Sequence, residues 1–200
     1  GYCGGLGGSM HIADPDTGNL GANGIVGAGL PIGVGAALGA TIRGEERICV
    51  VFCSDGATNH GTFGEALNLA AIWNLPLLLV IENNQFAVST PIDKASRIVD
   101  LHRRGDGYGV EGQSLDGNDV VEVYEAALEA RQRLLRGEGP LLIEARTFRH
   151  AGHHVNDPGD YMPEDQVEYY KTHDPLLLCR QRLADDARVD AMEAEVDDEI

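Results

Sequence analysis

Basic residues and long apolar segments are both scarce in this sequence. Lysine and arginine total 15 against 32 aspartates and glutamates, which gives a net charge of −17. Proteins that bind nucleic acid neutralise its phosphates with Lys and Arg, so this balance argues against a nucleic-acid partner. No apolar run reaches the roughly 20 residues that a membrane span requires, and no stretch has the pattern of a signal peptide. We therefore expect neither nucleic acid nor a membrane as a partner.

Cysteine is also rare, and its spacing does not suggest a metal site. Cys3, Cys49, Cys53 and Cys179 show no paired ligand spacing. Cys49 and Cys53 are four residues apart, so on a strand they share one face, most simply as small core residues. No disulfide is implied, which fits a cytoplasmic location.

The length and composition fit one folded domain. A chain of 200 residues with 43% hydrophobic residues can bury a sizeable core. We place this domain at 1–184 and an acidic helical segment at 185–200, where eight acids and one Arg give a net charge of −7. Such a charge run is typical of a solvated helix face. The chain opens on Gly1 without Met, and its last helical pattern has no stop signal, so we expect a fragment of a longer protein.

Short apolar strands alternate with amphipathic helices along most of the chain. The pattern predicts strands at 47–53, 77–82, 110–115 and 141–148, and helices at 62–74 and 119–136. In the second helix the residues expected to face inwards are Val120, Val123, Tyr124, Ala127 and Leu134. The run 77–81 is apolar at every position, which is typical of a strand buried on both faces. This alternation predicts an α/β fold, a parallel sheet flanked by helices.

A glycine-rich segment precedes the first strand. Residues 27–42 read GAGLPIGVGAALGATI and predict a helix that Gly44 ends. Each internal glycine costs roughly 1 kcal/mol relative to Ala, so their presence needs a reason. Gly29 and Gly33 are four residues apart, as are Gly35 and Gly39, so small residues recur on one face. Another backbone could approach that face closely, and a subunit contact is one possibility.

Polar side chains follow two of the predicted strands. Asp55 ends the first, and Asn84 follows the second. If these strands are neighbours, their carboxyl ends lie about 5 Å apart at one sheet edge, where ligands bind in such folds. Mg²⁺ prefers one or two protein oxygens together with ligand phosphates, and the small Gly56 and Ala57 would let a phosphate approach their N–H groups. The pattern favours a magnesium site for a phosphorylated ligand; the alternative for Asp55 is a helix N-cap.

At this point the sequence resembles a known family. Asp55-Gly56 followed by Asn-Asn resembles the thiamin-diphosphate motif, although Ser54 stands where that motif usually has Gly. Further segments resemble the alpha subunit of the thiamin-dependent first component of 2-oxo acid dehydrogenase complexes. In chain order they are GGSMHIAD, GANGIVGAGLPIG, ENNQFAVSTP, DGNDVVEVYEAA and GPLLIEARTFR. The likeness extends from Gly5 to about Arg182, and the family includes the pyruvate, branched-chain 2-oxo acid and acetoin enzymes.

The resemblance implies the thiamin-diphosphate-binding fold, with thiamin diphosphate and Mg²⁺ as cofactors. By matching position, Asp55 and Asn84 would hold Mg²⁺ through their side chains, and Phe86 would do so through its backbone oxygen. His153 would be the catalytic histidine that reaches cofactor and substrate. The residues that would contact the cofactor are Gly24, Val26, Asp55, Gly56, Ala57, Asn84 and His153. His11 matches a family position to which we assign no role.

The resemblance also implies partners and a reaction. This chain would grip the diphosphate, while a beta subunit in an α2β2 heterotetramer would hold the aminopyrimidine and supply the Glu that helps deprotonate the thiazolium carbon. The enzyme would be a cytoplasmic oxidoreductase that decarboxylates a pyruvate-like 2-oxo acid or cleaves acetoin. It would pass the acyl group to a lipoyl-bearing acyltransferase. The segment GGSMHIAD favours pyruvate or acetoin, whereas NNQFAVSTP is equally similar to the branched-chain enzymes.

A rival hypothesis is a non-catalytic α/β module that binds a phosphate or nucleotide. A dinucleotide site would need Gly-x-Gly-x-x-Gly directly after the first strand. The sequence has Ser-Asp-Gly-Ala-Thr-Asn there instead, which disfavours that hypothesis.

A histidine-rich segment, FRHAGHHVNDPGDYMP, follows the last predicted strand. His150, His153 and His154 lie close to Asp157, and imidazoles with a carboxylate can bind zinc. The i, i+3 spacing would need a helix, which the glycine and proline of this segment oppose; solvated loop histidines are the other alternative. By resemblance this is the active-site loop, and Met162 replaces an Arg that relatives use, which questions the loop's ordering contacts.

Overall fold

A four-stranded parallel sheet organises the molecule. The computed structural model describes residues 8–22, 24–183 and 186–199. Its strands are β1 (Cys49–Ser54), β2 (Leu77–Asn83), β3 (Phe86–Ala87), β4 (Thr90–Pro91), β5 (Glu111–Asp116) and β6 (Leu141–Arg146). The order across the main sheet is β1-β2-β6-β5 with every pair parallel, while β3 and β4 form a small antiparallel hairpin. The predicted α/β class and all four main strands are confirmed.

Helices cover both faces of this sheet. They are α1 (Gly29–Arg43), α2 (Gly61–Ile72), α3 (Ile92–Ala95), α4 (Val120–Leu135), α5 (Glu164–Thr172), α6 (Pro175–Leu183) and α7 (Asp186–Glu199). Short 3₁₀ helices occupy Ser9–His11, Pro15–Thr17, Gly56–Asn59 and Leu101–Tyr108. The acidic C-terminal segment contributes α7; the domain division at 184 stays a prediction.

Alternate residues of the strands pack into two hydrophobic cores, one on each face of the sheet. On one face Leu79 and Ile81 of β2 pack with α1 and α2, and on the other face Leu78 packs with the C-terminal half of α4. This alternation follows from the period of two in a strand. It explains why 77–81 is apolar throughout, as expected for a strand covered on both sides. Cys49 and Cys53 pack against the larger core as free thiols, which confirms their predicted place.

The close packing predicted for the glycine-rich helix is present within the chain. A Cβ at Gly33 would lie 2.1 Å from Cγ2 of Val51, and one at Gly29 would lie 3.8 Å from Cγ1 of the same residue. Gly33 thus lets α1 lie directly on β1. Gly35 and Gly39 have open space beside them, and 3.8 Å at Gly29 is an ordinary van der Waals distance. Packing in this chain therefore explains only Gly33 of the four glycines, and the subunit contact stays a prediction.

The inward face of α4 differs from the sequence-based expectation. Asp119 caps the helix as its pattern indicates, accepting hydrogen bonds from Val121 N and Glu122 N at 3.0 and 3.2 Å. The prediction that Val120, Tyr124 and Ala127 face inwards is wrong, because all three are exposed. The face that packs on the sheet consists of Val123, Ala126, Ala130 and Leu134. Two alanines let the helix approach the sheet, which turns the bulky Tyr124 outwards.

No helix in the described ranges combines the length and the apolar character needed to cross a lipid bilayer.

Candidate functional site

Asp55 lies buried at the carboxyl end of β1. In the adjacent strand Glu82 pairs with Ser54, so the polypeptide after Ser54 and the polypeptide after Asn83 leave the sheet at the same edge. Asp55 is 3% exposed, and its Oδ1 is a buried side-chain oxygen that has no hydrogen-bond partner among the described residues. Burial raises the pKa of this carboxyl, and backbone hydrogen bonds from Gly56 and from Asp55 itself partly oppose the shift.

The turn after Asp55 is held by side chains that bond to its backbone. Thr58 donates from Oγ1 to the Asp55 carbonyl at 2.6 Å, and the Ala57 N–H donates to Ser54 Oγ at 3.3 Å. Ser54 stands where the motif usually has glycine. Its hydroxyl therefore accepts a hydrogen bond from the Ala57 N–H, one of the groups expected to face a phosphate.

A second turn follows β2 and carries Asn84 and Phe86. Gln85 has a left-handed backbone, with φ at +75°, and Asn84 Oδ1 accepts from Phe86 N at 3.2 Å. This turn touches the first one, because a Cβ added to Gly56 would lie 2.7 Å from the Cβ of Ala87. Glycine is required there for that close approach. The two predicted metal-ligand segments are thus in contact.

Phe86 is buried, and an arginine from the next loop lies beside it. Arg149 Nη1 is 3.5 Å from the Phe86 carbonyl oxygen, and its Nη2 donates to the Val88 carbonyl. The guanidinium carbon lies 5.8 Å from the centre of the Phe86 ring, a cation–π distance. Val88 is a β-branched residue at φ +55°, a conformation that persists only where its surroundings impose it. Arg149 supplies part of that constraint.

The histidine loop is tied to this turn through the same arginine. Arg149 Nη2 donates to Tyr161 Oη at 2.5 Å, and Tyr161 donates to Asp157 Oδ2 at 2.8 Å. Asp157 also accepts from the backbone N–H of His153 at 2.7 Å, and these two hydrogen bonds lower the pKa of its carboxyl. The loop therefore has ordering contacts that do not need an arginine at Met162. His153 itself is exposed.

The zinc alternative for this loop has no support. In the described part of the chain no three His, Cys, Asp or Glu side chains are grouped closely enough to hold a metal ion. His150 and His154 are exposed, and the rings of His153 and His154 are 6.2 Å apart and steeply inclined. His11 ends the first 3₁₀ helix and is also exposed.

The loop that carries Gly24 and Val26 approaches the start of α2. Thr62 Oγ1 donates to the Gly27 carbonyl at 3.2 Å, and Gly27, at φ +82°, packs against the His60 ring. Gly24 and Val26 are exposed. The structure therefore places their loop beside the turn that follows Asp55.

Two arginines of the site have no distinctive sequence signal. Arg149 joins the two loops as described. Arg104 donates to the Thr58 carbonyl at 2.5 Å, to Asn59 Oδ1 at 2.7 Å and to Ser96 Oγ at 2.9 Å. It fixes the far end of the turn after Asp55. Arg104 follows Arg103 in the 3₁₀ helix Leu101–Tyr108, and Arg149 lies in the segment after β6. In each case only the tertiary structure brings the arginine to these partners.

The arrangement fits a hard cation with a phosphorylated ligand. An orphaned, buried carboxylate oxygen is costly unless a cation or donor completes it. Asn84 supplies an amide oxygen on the adjacent turn, and the Phe86 carbonyl keeps a second lone pair beyond its long contact with Arg149. Oxygen donors of these three kinds are the ones Mg²⁺ takes, and Mg²⁺ leaves its remaining positions to water and phosphate.

Comparison with known proteins gives a consistent result. The family model described as "Dehydrogenase E1 component" matches residues 1–200. The pyruvate dehydrogenase E1 component subunit alpha of Rickettsia felis is 40% identical over 181 residues, which are 90% of this chain and 56% of that protein. The acetoin:2,6-dichlorophenolindophenol oxidoreductase alpha subunits of Cupriavidus necator and Bacillus subtilis are 44% and 46% identical, over 96% and 88% of this chain and 58% and 53% of those proteins. The chain thus spans little more than half the length of these curated relatives.

A solved structure agrees in fold. An enzyme from Mycobacterium smegmatis, described in its name as a candidate thiamin diphosphate-dependent enzyme, superposes with a TM-score of 0.52 at 25% identity, over 66% of this chain and 24% of that one. A match of the family model along the whole sequence, the order of the motifs and this fold all lead to one assignment. The chain belongs to the dehydrogenase E1 component family.

Proposed function

We propose that this chain is the thiamin-diphosphate- and Mg²⁺-binding alpha subunit of a cytoplasmic enzyme that decarboxylates a pyruvate-like 2-oxo acid or cleaves acetoin. The observation that carries the proposal is the buried, unpartnered Oδ1 of Asp55 beside the turn that bears Asn84 and Phe86. Relatives at 40% and 44% identity are named for pyruvate and for acetoin, which supports this pair of substrates and not one of them over the other.

In this proposal the metal lies between two turns of the chain. Asp55 contributes its carboxylate, Asn84 its amide oxygen and Phe86 its carbonyl. Gly56 and Ala57 line the diphosphate, and Gly24 and Val26 approach it from the loop packed on α2. Thiamin diphosphate, when bound, supplies a carbon nucleophile and an electron sink for the bond that breaks next to the oxo group.

The histidine loop would act on the substrate side. Asp157 accepts a hydrogen bond from the backbone N–H of His153 and so fixes the position of His153 in the loop. The exposed imidazole of His153 would hold or move a proton. Arg149 anchors the loop to the metal-binding turn, so order in one segment supports order in the other. By the family resemblance, the Glu that acts on the cofactor ring belongs to a beta subunit, so in this proposal the site is completed in an α2β2 assembly. A lipoyl-bearing acyltransferase would receive the acyl group.

The test is the loss of the Asp55 carboxylate. With Asp55→Ala, thiamin diphosphate affinity at limiting Mg²⁺ should fall by roughly 100-fold in the assembled enzyme, because outer-shell changes alone cost 10–100-fold at metal sites. Calorimetric titration measures it, and circular dichroism checks the fold. Asp93→Ala is the matched control, since Asp93 is exposed and pairs only with Lys94 among the ion pairs of the described residues. If Asp55→Ala leaves the affinity for thiamin diphosphate unchanged, the proposal is wrong.

A further inference from the structure

Glu144 is a fully buried carboxylate to which the proposed chemistry gives no role. It lies on β6 and is 0% exposed. Its Oε1 accepts from Asn83 Nδ2 at 2.6 Å, and its Oε2 accepts from the backbone N–H of His102 at 3.0 Å. Nδ1 of His102 lies 2.9 Å from the same Oε2, and Arg146 Nε lies 3.6 Å from Oε1. A carboxylate is kept in a core only with partners of this kind, because an unpaired one is very costly there.

The residue that Glu144 holds is itself buried and controls the metal-binding turn. Asn83 is 2% exposed. Its Oδ1 accepts from Gln85 N at 3.3 Å and from Gln85 Nε2 at 3.2 Å. Its backbone carbonyl accepts from Gln85 Nε2 at 3.1 Å and from Thr147 N at 3.0 Å. These bonds hold Gln85 in its left-handed conformation, which non-glycine residues adopt only under constraint.

A series of hydrogen bonds therefore connects Glu144 with the proposed metal ligands. Asn84 and Phe86 flank Gln85, and they are bonded to each other across it at 3.2 Å. We propose that Glu144 is a positioning residue, which fixes the amide orientation of Asn83 and, through the turn at Gln85, the two metal ligands. This inference rests on the proposed function, because the magnesium site is part of that function.

The chemistry of the amide explains why a carboxylate is needed. An Asn side chain has a donor end and an acceptor end, whereas an ionised carboxylate only accepts. A pure acceptor facing Nδ2 of Asn83 makes that residue present its oxygen to the Gln85 N–H. Glu144 can do this and still accept from His102, because it has two oxygens.

The substitution Glu144→Gln removes one of those two acceptors at nearly constant shape. The single amide oxygen can then serve Asn83 or the His102 N–H. If it serves His102, the new NH₂ group faces Asn83 and favours a flipped amide, whose own NH₂ would face the Gln85 N–H. If it serves Asn83, the NH₂ group faces the His102 N–H. Either state leaves a donor facing a donor, a costly arrangement in a buried site.

The experiment uses two readouts on the enzyme assembled with its partner subunit. Mn²⁺ is the probe for the metal site, with its affinity measured by electron paramagnetic resonance in the presence of thiamin diphosphate. Amide hydrogen exchange over 84–88, without cofactor, reports the turn directly. Glu144→Gln and Asn83→Ala should both speed exchange there and weaken Mn²⁺ binding by about tenfold or more, as outer-shell changes do. Saturating metal should restore turnover.

His102→Ala is the matched control. It removes the imidazole next to Glu144 but leaves the Asn83 bond and the backbone N–H bond, so it should lower the thermal midpoint while Mn²⁺ affinity and exchange over 84–88 stay near wild type. The inference is overturned if Asn83→Ala, or a folded Glu144→Gln, keeps wild-type exchange over 84–88. It is also overturned if His102→Ala weakens Mn²⁺ binding as much as they do. If the wild-type enzyme binds no Mn²⁺, the proposed function fails, and the exchange measurement alone decides the positioning role.

Discussion

At the scale of single residues, Ser54 accepts a hydrogen bond from a backbone N–H that the proposed diphosphate would also use. Its Oγ accepts from Ala57 N at 3.3 Å, and that N–H is one of the groups proposed to line the diphosphate. Ser54→Gly removes the acceptor, so thiamin diphosphate affinity should rise about fivefold, the equivalent of one neutral hydrogen bond of about 1 kcal/mol. Calorimetry on the assembled enzyme measures the change. Ser54→Ala also lacks the hydroxyl but adds no backbone freedom, and a failure of both variants to tighten binding contradicts the competition.

Asp55 carries a stability cost that the proposed metal site would explain. Its Oδ1 is buried without a hydrogen-bond partner in the described chain, and burial raises the pKa of the carboxyl in the folded state. A raised carboxyl pKa means that ionisation disfavours the folded state, so its contribution becomes less favourable as pH rises from the unfolded pKa through the folded one. Asp55→Asn should therefore increase the free energy of unfolding of the ligand-free protein at pH 7 by about 1 kcal/mol.

The same variant should lose the stabilisation that ligands give. If the proposed site binds Mg²⁺ and thiamin diphosphate, the wild-type protein should gain stability from them by mass action, whereas Asp55→Asn should gain little at the same concentrations. Urea unfolding with and without both ligands measures the two effects together. If Asp55→Asn is less stable than wild type when no ligand is present, Asp55 stabilises the fold as a helix cap, and its carboxylate is not a destabilising buried charge.

At the scale of elements, the contact between α1 and β1 depends on one glycine. A Cβ at Gly33 would lie 2.1 Å from Val51 Cγ2, and a branched side chain in a packed core cannot move aside freely. Gly33→Ala should destabilise the protein by roughly 1–3 kcal/mol through overpacking. Gly35→Ala is the matched control in the same helix, because that position has open space beside it. It should stabilise by up to about 1 kcal/mol through helix propensity.

Thermal unfolding of both variants gives the comparison. Equal effects from Gly33→Ala and Gly35→Ala would mean that the close approach of α1 to β1 is not what the first glycine serves. A loss of subunit association in Gly35→Ala, with the fold intact, would instead support the subunit contact that the glycine spacing suggests.

The hydrophobic periodicity of the sequence predicts the strands of the sheet, but it does not predict which face of a helix packs against them. β2 is apolar at 77–81 and sits between β1 and β6, so local pattern and burial agree. In α4 the apolar residues are spread around much of the helix, and the facing partner selects the side with Ala126 and Ala130. Residue types alone ranked Tyr124 as core, although it is 65% exposed. A helix can pack closely on a sheet where its side chains are small, and hydrophobic periodicity does not take side-chain size into account.

The site shows the same division. Asp55 and Asn84 could be placed at one edge because strand ends in parallel sheets converge. Glu144 and Arg149 could not, because each acts through partners that are distant in sequence: Asn83 is 61 residues from Glu144, and Phe86 is 63 residues from Arg149. A buried acid in a strand has no local signature of its partners. The sequence therefore predicts that the proposed metal ligands meet at one sheet edge, but it does not predict the hydrogen-bond network that holds them.

At the scale of the whole molecule, the loops of the site expose apolar side chains. Val26 is 58%, Val88 51% and Val155 98% exposed, each from a different loop. Scattered exposed apolar residues are ordinary, but here they belong to the three segments proposed to meet a cofactor. We expect a second subunit to cover these segments, because apolar surface beside a binding site is often an interaction surface. The strongly acidic surface, with a net charge of −17, would disfavour self-association through charge repulsion and would leave a partner of different charge as the better cover.

The isolated chain should therefore be catalytically silent. In the proposed function this chain provides the oxygen ligands and binds the diphosphate, but the Glu that activates the cofactor ring comes from a beta subunit. Without that subunit the ring would be exposed to water. Incubated with thiamin diphosphate, Mg²⁺ and pyruvate or acetoin, it should show no turnover by release of CO₂ or by dye reduction. Adding a cognate beta subunit to the full-length chain should produce turnover. With Asp55→Ala, the same addition should give an assembled complex, visible by analytical ultracentrifugation, that remains inactive. Turnover by the chain alone, at a rate that the partner does not raise, would show that the site is complete within one subunit and that the exposed loops need no cover.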